Sequence, residues 1–136
     1  MAEQKVAPEV AEQEFQRFAD EMDLDLDATF MDEDDLAGLN KQKRRMLLAI
    51  QNGSLVINEK GEAVYTPQKS EDIGSLTFHE RTGASVMAMD GKKKGHDVSK
   101  TYAAMADMAK THPNTFAKMR GVDIKTCEAV FALLMD

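Results

Sequence analysis

The sequence predicts an α+β fold: a small β-hairpin plus a third strand, a mainly helical C-terminal half, and an acidic helical N-terminal arm. Three observations predict it. A β-branched run, a glycine turn and a second strand-like run follow one another over residues 54–66. Apolar residues recur at helical spacing over residues 98–134. Charge is divided, with thirteen Asp/Glu against Lys5 and Arg17 in residues 1–40, a net of −11. Residues 41–136 hold eleven acids against fifteen Lys/Arg, a net of +4. At 136 residues and 43% hydrophobic composition, one domain is expected. The division is an acidic arm at 1–40, partly helical and partly disordered, and a single α+β domain at 41–136.

Along the arm, Pro8 and the early acids favour a helix start. Val10, Ala11, Phe15, Phe18 and Met22 then share one helical side. Such a helix must dock on its own body or on a partner. Residues 23–35 are too acidic to build a core. Asp23, Asp25 and Asp27 match positions 1, 3 and 5 of a calcium loop, with Asp34 at position 12. Ala28 stands where that loop needs glycine, and Asp34 where it needs a bidentate Glu, so a solvated linker is expected and no metal.

In the body, Asn40 is placed to cap a helix over 41–52 that Gly53 terminates. Its Lys41, Lys43, Arg44 and Arg45 lack interleaved aromatics, so a solvated face paired with the acidic arm is expected rather than a phosphate grip. The hairpin runs over 54–58 and 62–66 and stops at Pro67. A third strand over 75–80 must help to cover it, because two strands alone are marginal. Thr82 can cap a short helix over 84–89. The loop at 90–96 has three lysines flanked by glycines but not the residue order that wraps a phosphate. Three helices follow: 98–110, a short one opened by Pro113 and closed by Gly121, and a last one capped by Asp123. The last carries an apolar stripe of Ile124, Cys127, Val130, Phe131 and Leu134.

Composition and spacing argue against several function classes. No apolar run approaches the ~20 residues of a membrane helix, and the N-terminus has no basic patch leading into an apolar stretch. Cys127 is the single cysteine; it suits a reducing compartment and is expected to be a small buried apolar residue. His79, His96 and His112 pair with no Ser or Cys nucleophile, and no ligand cluster has metal spacing. The arm's charge opposes phosphate contacts. The expected protein is therefore not an enzyme, takes no cofactor, touches neither nucleic acid nor membrane, and binds another protein.

The order of elements over residues 45–136 resembles the tail assembly chaperones of tailed bacteriophages. The stretches that carry the resemblance are MLLAIQNGSLVINEKGEAVYTP, LTFHERTGASVMAMD, TYAAMADMAK and FAKMRGVDIKTCEAVFALLMD. In such proteins a strand like the one at 76–80 enters an Arg-Thr-Gly turn, and a late Asp like Asp123 starts the last helix. The resemblance implies a protein of the host cytoplasm that binds the tape-measure protein, keeps it soluble, and recruits tail-tube subunits. It also implies a helix-in-groove mode, in which flexible methionines meet helices of many registers. Met87, Met89, Met105, Met108 and Met119 would form the adaptable face, with Phe131 and Leu134 as anchors. Met105 and Phe131 are expected to serve the core, and Met89 and Met108 to be exposed. Self-association stays open. Two alternatives belong to other classes: a structural component of the virion, such as a head–tail or baseplate protein, whose arm orders on a neighbouring subunit, and an acidic mimic of nucleic acid built on residues 20–35.

Overall fold

A computed structural model of the chain describes residues 6–24, 26–70, 72–90 and 97–135. The readings placed on residues 1–5, on Asp25 and on residues 91–96 lie outside them. Among the described residues the order is helix α1 (Pro8–Glu21), a 3-10 turn (Ala28–Phe30), α2 (Glu33–Asn52), β1 (Leu55–Ile57), β2 (Ala63–Tyr65), β3 (Leu76–Phe78), α3 (Gly83–Met87), α4 (Asp97–Ala109), α5 (Pro113–Ala117) and α6 (Val122–Met135). The fold is α+β, as the sequence predicts.

The strands form one antiparallel sheet in the order β1-β2-β3, with Leu55 opposite Tyr65 and Tyr65 opposite Leu76. Alternation sends Leu55, Ile57, Ala63, Tyr65, Leu76 and Phe78 inward, while Val56 faces solvent. Gly61 turns the hairpin with φ +80, and a Cβ there would overlap the Glu21 side chain at the end of α1. The first helix therefore lies against the hairpin. The Arg17 guanidinium extends this contact, donating to the carbonyls of Ile57 at 2.7 Å and Asn58 at 2.5 Å.

Helix α1 docks on its own body. Ala11, Phe15, Phe18 and Ala19 are buried in the same core as Met46, Ala49 and Ile50 of α2 and the inner face of the sheet. Val10 is 44% exposed and lies off that stripe. Lys43 crosses from α2 to α1, 3.2 Å from Glu12 and 5.3 Å from the Phe15 ring centre. The basic face of α2 thus meets the acidic helix at this point.

Helix α2 starts at Glu33, not at Asn40, and so runs through the boundary that the charge asymmetry marks. Asp32 caps it by accepting from the Asp35 amide at 2.7 Å, and Glu33, Asp34 and Asp35 fill its first turn. Carboxylates there offset the positive end of the helix dipole. Of the acids that read as linker, Asp32, Glu33, Asp34 and Asp35 are helix-starting residues.

Helix α6 is the most enclosed element after the sheet. Cys127, Val130 and Leu134 of the expected stripe are buried, but Thr126, Ala129 and Leu133 are buried too, whereas Ile124 and Phe131 stay partly open. The buried face is broader than the stripe and rotated from it, because both α2 and the turn after β2 press on this helix.

Two helices end on left-handed residues other than glycine, Asp23 (φ 54) after α1 and Lys110 (φ 53) after α4. Both ends close with paired reverse bonds; after α4 these are Thr111 N–H to the Ala106 carbonyl at 2.9 Å and Lys110 N–H to that of Asp107 at 3.3 Å. Asp tolerates this conformation better than Lys. Lys110→Gly is therefore expected to stabilise the fold by about 0.5–1 kcal/mol, raising Tm by about 2–5 °C in a thermal melt. A lower Tm would mean that the lysine stem supplies packing worth more than the strain.

Candidate partner-binding surface

The structure separates the residues that the sequence groups as one adaptable face. Met87, at the end of α3, is 70% exposed, Val86 beside it is exposed, and Met89 is half-buried. Met108 is only 2% exposed, which corrects the expectation that it faces solvent. The reason is that α3, β3 and α5 all pack on α4, so its second half is covered on several sides. Met119 and Leu134 are likewise core residues and present no face to a partner. Met105 is fully buried and Phe131 is partly buried against the core, as expected.

Met87 is exposed because of how α3 is held. Thr82 and Ser85 cap the helix reciprocally, and the Ser85 hydroxyl donates to Asp107 of α4 at 3.0 Å. With Ser85 fixed inward, Val86 and Met87 turn outward. Val98 at the start of α4 is also exposed, so apolar side chains stand on both sides of the 91–96 connection.

A second apolar feature lies on the opposite reach of the chain. A groove of about 440 Å³ opens between residues 24–42 and the end of α6. Leu24, Leu26, Met31 and Leu39 line one side, Ala132 and Leu133 the other, and Asp34 and Asp35 stand among its lining residues. Gly38 also lines it, and a Cβ at Gly38 would meet nothing within 4 Å. Glycine in a helix interior costs roughly 0.5–1 kcal/mol relative to alanine, so this position forgoes stability and leaves the groove open. Nearby, Phe30 is 95% exposed on the 3-10 turn. The sequence reading missed this groove by treating residues 23–35 as an acidic linker. The available signal was the leucines and methionine at 24, 26, 31, 36 and 39, threaded through the acids.

The polar centre at the start of α6 is structural. Asp123 is fully buried in the first turn of α6 and accepts from the Tyr65 hydroxyl (2.6 Å), the Gln68 amide (2.6 Å), the Lys69 amide (2.8 Å) and the Ser70 hydroxyl (2.9 Å). Asp123 thus lies inside α6, after Val122, and does not cap it as the sequence predicts: its carboxylate organises the turn after β2. Burial raises its pKa, but these hydrogen bonds outweigh burial and hold it below the ordinary aspartate value. Burial and the Asp123 charge push the Tyr65 hydroxyl up. The Cys127 thiol is fully buried, sits 3.6 Å from the Met119 sulfur, and is pushed far up by burial, so it stays protonated and unreactive. These groups hold the fold together and offer no nucleophile or free proton carrier.

Compared with models of known families, with curated proteins and with solved structures, the chain matches none. No described helix is long and apolar enough to cross a membrane.

Proposed function

We propose that the protein is a non-enzymatic tail assembly chaperone of a tailed bacteriophage, which acts in the host cytoplasm, binds the tape-measure protein and recruits tail-tube subunits. The observation that carries this reading is Met87, a large flexible apolar side chain held 70% exposed on α3. It lies in LTFHERTGASVMAMD, one of the stretches that bear the resemblance. A long unbranched thioether can follow the differing surfaces of successive amphipathic helices, which a tape-measure chain would present. Met87, with Met89 and Val86, is the contact surface in this reading.

The virion-component alternative calls for an acidic arm that orders on a neighbouring subunit, whereas α1 packs on its own core. Quantitative mass spectrometry of infected-cell lysate and purified particles separates the two readings. A chaperone is expected in lysate and absent from particles; stoichiometric presence in particles would replace this reading with the structural one. In co-expression, Met87→Lys is expected to leave stability within about 0.5 kcal/mol while the tape-measure protein loses solubility. Undiminished solubility would remove Met87 from the contact.

A further inference from the structure

Between Phe18 and Asn40 the chain has nine Asp/Glu and no Lys or Arg. In the same stretch, Leu24, Leu26, Met31 and Leu39 face Ala132 and Leu133 across the groove, with Asp34 and Asp35 among the residues that line it. Apolar lining and carboxylates of one sign thus occur together, and Gly38 lines the groove with open space where a side chain would begin.

We propose that this groove docks a cationic amphipathic helix from a partner protein, its apolar side chains entering the groove and its Lys/Arg meeting Asp34, Asp35 and the neighbouring acids. Charge complementarity selects this occupant. A second copy of this chain docked groove to groove would bring an equally acidic surface to the contact, and like charges in apposition oppose it. Nucleic acid and anionic lipid are repelled for the same reason. A metal ion does not suit the place, since no group of three Asp, Glu, His or Cys converges among the described residues. Gly38 would let a docked helix approach the backbone of α2, because no side chain stands there.

This inference does not rest on the phage reading, because the groove shares no residue with the Met87 surface. The test uses the full chain and a fluorescein-labelled Leu/Lys amphipathic peptide of about five helical turns, followed by fluorescence anisotropy. Binding is expected at low salt and should weaken at least about tenfold on screening in 0.5 M NaCl. Gly38→Leu, whose Cβ has open space and whose side chain adds bulk at the groove, is expected to lose binding while its Tm holds or rises. The double variant D34N/D35N, on exposed positions, is expected to weaken binding by about tenfold and guards against a folding defect in the first. A Leu/Glu peptide of the same pattern should not bind, and Met87→Lys should bind as the parent does. Two results would overturn the proposal: a folded Gly38→Leu protein that binds unchanged, or a Ser/Lys peptide without an apolar face that binds equally well. The second would reduce the site to general attraction between opposite charges.

Discussion

Replacing Asp123 with asparagine is expected to destabilise the protein by about 2–4 kcal/mol, since a buried donor left without an acceptor costs about 1–3 kcal/mol. Each carboxylate oxygen serves two donors: Oδ1 receives Tyr65 and Gln68, and Oδ2 receives Lys69 and Ser70. An amide replaces one of those oxygens with an NH₂ group that points at two donors, whichever way it is flipped. Against a total stability of roughly 5–15 kcal/mol for a domain, that is a large share. A urea titration followed by circular dichroism should show the midpoint fall with little change of slope. Tyr65→Phe removes a single donor and is expected to cost about 1 kcal/mol.

The pH dependence gives a second readout of the same group. Because the folded-state pKa of Asp123 lies below its ordinary value, its contribution is fully present above the unfolded value near 4 and is lost as pH falls through the folded value. The gap between the parent and Asp123→Asn should stay constant from pH 5 to pH 8, about the range above carboxylate titration, and narrow below about pH 4. An asparagine variant within about 0.5 kcal/mol of the parent at neutral pH would mean that the four bonds contribute nothing net.

Asp123 also shows where a sequence stops being readable. An Asp before an apolar run is a local signal, and the local reading of it is a helix cap. Its partners stand 53–58 residues upstream, and no spacing rule announces them. Local chemistry served well elsewhere. The hairpin is marked by β-branched runs around a glycine turn, and the strands Leu55–Ile57 and Ala63–Tyr65 fall inside the expected 54–58 and 62–66. Thr82 and Pro113 likewise sit where capping rules put them.

Periodicity identified α4 but not how many sides of it are covered. Met108 lies on a helix packed by three elements, so its position on the helical wheel does not set its exposure. The start of α2 was hidden for the reverse reason. A run of acids is unfavourable in a core and favourable in the first turn of a helix, and composition alone does not separate the two. The groove went unread with it, because its apolar residues are too few per turn to form a stripe. They become a surface only once α6 supplies Ala132 and Leu133.

Phe18→Ala is expected to cost about 3–5 kcal/mol, and the double change with Phe15→Ala enough to abolish a cooperative melt. Both rings are buried, with centroids 6.3 Å apart, in contact with the core that α2 and the sheet share. They are close enough to be coupled, so the double effect need not equal the sum. Val10→Ala, on the exposed side of the same helix, should change stability by less than about 0.5 kcal/mol, which separates loss of packing from loss of helix. Deleting residues 1–40 removes both rings and the first turns of α2 together, leaving Met46, Ala49 and Ile50 without their cover. The remainder is expected to show no cooperative unfolding in a thermal melt. A truncated chain that melts cooperatively at the parental Tm would mean that α1 only rests on a body that folds without it. With α1 docked, Leu24 and Leu26 in the chain that leaves it line the groove together with Leu39 of α2 and Leu133 of α6.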